Sequence, residues 1–531
     1  MFKILVCDRV SPKGVAVFNE STDFEVSTLD RTYSEDEMVE IVSDVAAILV
    51  RSATKITSRI IEAAPHLKVI GRAGVGVDNV DIPAATKRGV IVMNAPGGNT
   101  ISTSELTFSM LLALARNIPQ AHMSMKGGAW ERKSFVGVEV YGKTLGVLGL
   151  GRIGGEVAKR AQAFGMRVLG YDPYVTTDRA AAMGIELVDE LDALYPLCDY
   201  ITVHMPKTEE TKGMLNAEVF DRVKPGVRIL NCARGGIVDE TALHQAIVDG
   251  KVAGAALDVY ETEPPADDLP LRSLPQVIMT PHLGASTEEA QENVGIEVAH
   301  TVSDYLRTGQ VANAVNLPNL DAKTYELTRP FLELGERLGR LVSQLAPKRN
   351  ERLVITYGGK AREVPGDPIT RAILKGFLAS AEGEEVNNIN ARQIARSMGI
   401  TIEEIKSTEE TDYTEWLHVA AHSGDKKTSA GGTVLGTRAE PRIVRVHGRP
   451  VEIVPEGSIM FFCNEDRPGF VGDVGQALGK AGVNIASMTL SRKSIGQDAL
   501  TVLNLDSTPD EDAIEAIQGI PGISHVQIVR L

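Results

Sequence analysis

The run Thr144-Leu145-Gly146-Val147-Leu148-Gly149-Leu150-Gly151-Arg152-Ile153-Gly154 restricts the possible folds of this chain more than any other. An apolar strand enters Gly-x-Gly-x-x-Gly. A helical segment follows from Gly155 to Phe164, and a second apolar run, Met166 to Tyr171, ends in Asp172. Each part has a physical task. Gly149 permits the tight turn, Gly151 lets the backbone approach a pyrophosphate, and Gly154 lets helix and strand pack closely. The helix N-terminus offers free N–H groups and partial positive charge to the phosphates. Asp172 is placed to accept hydrogen bonds from ribose hydroxyls and to repel a 2′-phosphate, so the pattern predicts NAD rather than NADP.

A length of 531 residues predicts about three domains. The net charge of −15 argues against nucleic acid or an acidic membrane as the main partner, but not against a small anion held by local arginines. No apolar run reaches the roughly 18–20 residues that span a bilayer. The start, Met1 to Asp8, reads as a buried first strand rather than a signal peptide. Cys7, Cys198, Cys232 and Cys463 form no metal-spaced pair. They read as free thiols of a reducing, cytoplasmic compartment, and no metal site is expected.

Residues 1 to about 95 alternate strands (Lys3–Cys7, Val45–Val50, Lys68–Ile70, Val90–Met93) with helices, which predicts a parallel sheet. The loop Gly71 to Asp78 follows one of these strands, where ligands of such sheets sit. Ser102-x-x-Glu105 and Ser286-x-x-Glu289 read as capping boxes of two long helices, the second crossing back to the first domain. Further strands are expected at Tyr200–His204, Val227–Cys232, Ala253–Asp258 and Val277–Thr280. After Pro318 come helical stretches and strand-like pieces, with Gly431 to Gly436 as a turn entering a strand, and Pro455-Glu456-Gly457 as a linker. From Ser458 the order is βαββαβ, of ferredoxin-like type.

Three residues lie just past predicted strands on the nucleotide edge: Arg234, Glu263 and His282. Oxidising a secondary alcohol removes a hydride and a proton. A histidine can take the proton, a carboxylate can orient the imidazole, and an arginine can grip a substrate carboxylate. Taken singly, Glu263 also fits a solvated loop acid, His282 a core histidine and Arg234 a surface ion pair. Together, past the strand ends of one dinucleotide-binding sheet, they point to a dehydrogenase site.

These residues carry a resemblance. Val50 to Lys55, Gly71 to Asp78, Gly149 to Gly154, Asn231 to Gly236, Asp258 to Pro264 and Pro281 to Ser286 resemble the D-isomer-specific 2-hydroxyacid dehydrogenases, in their long form that acts on a phosphorylated substrate. The resemblance implies an α/β fold: a Rossmann-type NAD-binding domain (97–285), a discontinuous flavodoxin-like substrate domain (1–96 and 286–317), an α+β intervening domain (318–454) and a ferredoxin-like ACT regulatory domain (455–531). It implies NAD-dependent oxidation of 3-phospho-D-glycerate to 3-phosphohydroxypyruvate, the first step of L-serine synthesis. His282 is then the acid–base residue, Glu263 its partner and Arg234 the carboxylate clamp. Asp258 meets the nicotinamide end. Arg152, Ile153, His204, Met205, Pro206, Cys232, Ala233, Gly284 and Ala285 line the NAD site. Arg51, Ser52, Arg72, Gly74, Val75 and Asn99 face the substrate, with Arg132 reaching across a subunit interface. In the ACT unit Asn464, Asp466 and Asn484 stand where relatives hold L-serine, and the assembly expected is a homotetramer. The rivals are a shorter hydroxypyruvate or glyoxylate reductase and an NADH-sensing regulator. The extra C-terminal residues argue against the first, and the serine-type tail and net charge against the second.

Overall fold

Short runs of aliphatic residues, buried on both faces in the central strands, account for the first two sheets. In the computed structural model, which describes residues 1–382, 386–409, 411–492 and 498–531, the first sheet holds β1 (Phe2–Val6), β2 (Phe24–Thr28), β3 (Ala47–Val50), β4 (Val69–Arg72) and β5 (Ile91–Asn94). Its order is β2-β1-β3-β4-β5, all parallel and flavodoxin-like. Every residue of β3 is buried, because helices cover both faces. The helix Glu288–Thr308 returns to this sheet and buries Val294, Val298 and Val302 in its core.

The second sheet holds β6 (Thr144–Leu148), β7 (Arg167–Tyr171), β8 (Glu186–Leu187), β9 (Tyr200–Val203), β10 (Val227–Asn231), β11 (Val252–Leu257) and β12 (Val277–Met279). The order β12-β11-β10-β9-β6-β7-β8 reverses direction between β6 and β9. That is the switch point where such sheets open a crevice, and the glycine loop follows β6 directly.

Four readings of local structure need correction. The glycine-loop helix starts at Arg152, not Gly155. Ser102 is not a cap: the helix runs Thr100–Arg116 with Asn99 at its N-cap, and the Ser102 hydroxyl instead donates to the carbonyls of Asn99 and Gly284. The second cap is Thr287, one residue beyond Ser286, whose hydroxyl accepts from Ala290 N–H. Gly431 to Leu435 lie inside a ten-residue strand rather than a turn, because small residues let the helix Ala322–Leu345 press close: a Cβ at Gly432 would lie 2.6 Å from Leu334.

The third sheet joins β13 (Arg352–Gly359), β14 (Thr401–Ser407), β15 (Glu415–Ser423), β16 (Lys426–Leu435), β17 (Glu440–Val446) and β18 (Arg449–Ile453) in the order β14-β13-β15-β16-β17-β18. The fourth joins β19 (Ser458–Glu465), β20 (Ile485–Arg492), β21 (Asp498–Leu505) and β22 (Ile523–Arg530) in the order β20-β21-β19-β22, the ferredoxin-like arrangement. One face of the fourth sheet packs Met460, Phe462 and Leu503 against its own two helices. The other face sends Ile459, Phe461, Val502 and Val529 into the same core as Leu334, Leu338 and Ile373 below the third sheet. Gln344 seals this junction by exchanging two hydrogen bonds with the Arg530 backbone, at 2.8 and 3.0 Å. The third and fourth sheets therefore share one core.

Candidate active site

The glycine loop is built as its sequence requires. Gly149 has φ +95°, and a Cβ there would lie 2.5 Å from the His204 carbonyl oxygen. A Cβ at Gly154 would lie 1.9 Å from the Gly149 oxygen, whereas one at Gly151 would meet nothing within 4 Å. The open side of Gly151 is thus a cradle that a pyrophosphate fits. No side chain caps the helix Arg152–Ala163, so its first N–H groups remain available to phosphate oxygens. Asp172 directly follows β7, and its carboxylate accepts from Leu150 N–H (2.8 Å) and Tyr174 N–H (2.9 Å), which sets it beside the loop.

Opposite, His204 N–H donates to the Leu148 carbonyl at 2.7 Å, and its Nε2 pairs with Thr202 Oγ1 at 2.9 Å. Burial pulls its pKa down to about 4, so the ring is neutral at pH 7. Met205 packs on Gly149, and Pro206 accepts from Thr211 Oγ1 at 2.7 Å. Cys232 is buried against Met110, its thiol pushed up to about 12 by burial. It is a packing group and not a nucleophile.

The imidazole of His282 bonds through Nδ1 to Glu263 Oε2 at 2.7 Å, and Glu263 Oε1 accepts from Tyr260 N–H at 3.1 Å. His282 itself has φ +55°, a conformation rare outside glycine. The surroundings hold it there. Its N–H donates to the Asp258 carbonyl at 3.0 Å. The Asp258 carboxylate, fully buried, accepts from Thr280 Oγ1 (2.6 Å), Leu283 N–H (2.7 Å) and Gly284 N–H (2.9 Å). The Gly284 carbonyl in turn accepts from Ser102 (2.8 Å) and Thr103 (2.9 Å) on the helix Thr100–Arg116. Tyr260 braces the same loop by donating to the Thr280 carbonyl at 2.8 Å. Ala285 follows on the partly exposed end of this loop.

A cluster of guanidinium groups gathers where the loop of the first sheet meets the second. The Asn231 amide donates to the Arg234 carbonyl at 2.9 Å, and the Arg234 guanidinium donates to the Ala233 carbonyl at 2.7 Å. It reaches the first sheet's loop, where Asp78 lies 3.4 Å away and Gly76 touches it. Arg72 lies flat on Gly74, and its Nε is buried with no hydrogen-bond partner. Burial, followed by repulsion from Arg234, pulls the Arg72 pKa down to about 10. Arg51 also repels Arg72 and donates to Gln291 at 3.4 Å. Asn94 fixes the loop by donating to the Val75 carbonyl (2.6 Å), and Ala95 N–H to that of Gly74 (2.9 Å). Ser52 is exposed beside Arg51, and Asn99 Oδ1 is buried and unpaired. Arg132 sits on the exposed turn Arg132–Phe135, outside every contact of this cluster, next to exposed Trp130 and Val136. Among the described residues no group of His, Cys, Asp and Glu could hold a metal ion.

Residues 108–284 match the family described as D-isomer specific 2-hydroxyacid dehydrogenase, NAD binding domain; 327–447 match the D-3-phosphoglycerate dehydrogenase intervening domain, and 457–522 the ACT domain. The chain is 44% identical over 531 residues to D-3-phosphoglycerate dehydrogenase of Methanocaldococcus jannaschii, covering all of both chains. It belongs to the D-3-phosphoglycerate dehydrogenase family. The Bacillus subtilis member is 42% identical, again over the full length of both. Among solved structures, D-lactate dehydrogenase from Aquifex aeolicus, complexed with NAD and lactic acid, matches with a TM-score of 0.52 and 30% identity, covering 60% of this chain and all of that one. Like other members of the D-3-phosphoglycerate dehydrogenase family, this chain carries its NAD-binding domain around the glycine loop.

The ACT residues behave differently from the cleft. Asn464 is buried, its Oδ1 accepting from Thr501 and its amide donating to the Glu465 carbonyl. Asp466 pairs with Arg492 at 2.5 Å and Asn484 donates to Asp506 at 2.6 Å. Within one chain all three are engaged with their own domain.

Reading the sequence missed the groups that hold the site rather than touch it: Tyr260, Thr280, Ser102, Thr103 and Asn231. Their only signal was position, immediately beside Glu263, His282, Asn99 and Arg234.

Proposed function

We propose that this enzyme oxidises 3-phospho-D-glycerate to 3-phosphohydroxypyruvate with NAD, at the start of L-serine formation. The observation that carries the reading is the His282–Glu263 pair at 2.7 Å, in a chain that also gathers a guanidinium cluster in which Arg72 is buried, repelled by Arg234 and Arg51 and without a partner at Nε. Such a cluster is complete only with an anion in it. NAD, when bound, supplies the hydride acceptor for C2; Gly149, Gly151, Arg152, Ile153 and Gly154 would hold its phosphates and Asp172 its ribose. Met205, Pro206, Ala233 and Ala285 would line the remainder. His282 takes the C2 hydroxyl proton through Nε2, while Glu263 fixes the ring and stabilises its charged form. Arg234 grips the substrate carboxylate with parallel N–H bonds, and Arg51 and Arg72 hold the phosphate beside Ser52, Gly74, Val75 and Asn99.

Arg132 then belongs to a second copy's site. The exposed Met123, Trp130, Val136 and Tyr141 around it form an apolar surface suited to self-association. We read the assembly as a homotetramer, the domain limits as 1–96 with 286–317, 97–285, 318–454 and 455–531, and the ACT unit as an L-serine sensor in which Asn464, Asp466 and Asn484 act once two copies meet. No helix among the described residues is long and apolar enough to cross a membrane. The reading takes the cytoplasm as the site of action.

The test is NADH formation from 3-phospho-D-glycerate and NAD, with and without millimolar L-serine. Turnover with this substrate and not with D-lactate or glyoxylate supports the assignment; turnover only with unphosphorylated acids removes it. Inhibition by serine, lost in Asp466→Ala, supports the sensor.

A further inference from the structure

The body formed by the third and fourth sheets is attached to the substrate-side domain around the entry to β5. Asn387 reaches out of the third-sheet domain, and its amide donates to the Gly89 carbonyl at 2.8 Å. Gly89 has φ +69°, and a Cβ there would lie 2.2 Å from the Asn387 amide nitrogen, so the turn has no room for a larger residue while this bond is made. Two residues on, Ile389 is only 4% exposed and sits in the core of the first sheet, with Ile91, Met93 and Leu306.

The attachment is itself braced. Asn387 Oδ1 accepts from Ile389 N–H at 2.9 Å. Arg371 holds the carbonyls of Asn388 and Ile389 at 3.1 Å each and bonds Asp367 at 2.7 Å. Arg392 ties Asp367 to Glu404 on β14. The second attachment is the segment leading into the helix Ala322–Leu345, and it grips the same strand: Val315 N–H donates to the Val92 carbonyl (2.8 Å), and Asn316 Oδ1 accepts from Val92 N–H (2.9 Å). Between the two attachments lies a hollow of about 430 Å³, lined by Val311, Leu317, Tyr325, Arg371 and Asn388.

The strand so gripped is β5, which begins two residues past Gly89 and ends at Asn94. Asn94 and Ala95 are the residues that hold the carbonyls of Val75 and Gly74. A strand transmits displacement along its length because its backbone is hydrogen-bonded throughout and nearly extended. We propose that Asn387 and Ile389 are positioning residues for the substrate: they form a clasp that sets the height of β5, and through Asn94 the placement of the Gly74–Val75 loop and Arg72. Movement of the shared ACT–intervening core then reaches substrate affinity through this clasp. The inference rests on reading Gly74 and Val75 as the substrate loop.

The test uses the full-length enzyme. Asn387→Asp keeps the acceptor for Ile389 N–H but turns the donor facing Gly89 into a second acceptor. We expect KM for 3-phospho-D-glycerate to rise about fivefold to twentyfold, with kcat and KM for NAD within about twofold. Asn387→Ala, which removes the bond without adding repulsion, is measured beside it and moves KM the same way if Asn387→Asp does not fold. Arg72→Gln is the control. If it raises KM while both Asn387 variants leave KM unchanged, the clasp is overturned and the substrate-loop reading stands. If Arg72→Gln itself leaves KM unchanged, that reading falls and the proposal with it. A purely structural role would lower the melting temperature and leave the KM for the two substrates in their original ratio.

Discussion

The two sides of the cleft follow opposite designs. The groups that brace His282 are paired: Asp258 accepts three hydrogen bonds, the Gly284 carbonyl two, and Glu263 bonds on both oxygens. At the loop of the first sheet, by contrast, Arg72 carries a buried Nε without a partner. A proton-transfer group must be held in one orientation before the reaction, because misplacement raises the barrier directly. A group that binds an anion gains when its charge is poorly solvated beforehand, since the ligand then relieves an existing cost. The first side is preorganised by the protein. The second is completed by the ligand.

The largest expected effect breaks the preorganised side. His282→Ala lowers kcat by roughly 10²–10⁴, read as steady-state NADH formation, with little change in KM. Near-normal turnover would remove His282 from proton transfer. Next comes the anion side. Arg72→Met raises KM for the phosphorylated substrate by about tenfold to a hundredfold, the scale of one charge-assisted bond. Because the charge is disfavoured in the folded state, its pKa lying lower there than in the unfolded chain, the same change leaves melting temperature equal or higher at pH 7. A drop in melting temperature would show that Arg72 is a satisfied structural cation. Added inorganic phosphate sharpens this contrast: it stabilises the parent more than Arg72→Met in a thermal scan.

A smaller effect concerns NAD. Asp172→Ala raises KM for NAD by about tenfold and narrows the preference over NADP. A parent enzyme that uses NADP as well as NAD would contradict the role given to Asp172. The smallest change, Thr280→Val, removes one of three bonds to Asp258 and costs about 1 kcal/mol of stability with a fewfold loss in kcat. Unchanged chemical denaturation and turnover in this variant would show that Asp258 holds the His282 loop without it.

The glycine loop was legible because its chemistry is local: strand, turn, helix and acid all fall within residues 144–172. Arg234, Glu263 and His282 were legible as residue types at strand ends. Helix caps were read less well. Ser102 has the spacing of a cap, but it lies inside the helix, and a tertiary acceptor, the Gly284 carbonyl, draws its hydroxyl across to another segment. Gly431 and Gly432 look like a turn until the helix packed on their strand is seen. In the ACT unit Asn464 has the right composition for a ligand site, yet its side chain completes the bonding of its own sheet.

By itself the sequence determined the fold class, the NAD cradle and the set of side chains able to do acid–base and anion chemistry, since each depends on backbone freedom and residue type over a short span. Only the tertiary structure decided which of them meet. Arg72 and Arg234 come from different sheets, and their mutual repulsion exists only once the two domains face each other. The left-handed turn at His282 is held by Asp258 and by a helix about 180 residues earlier in the chain. Contacts at such separation are set by how covered sheets pack, which no local pattern encodes.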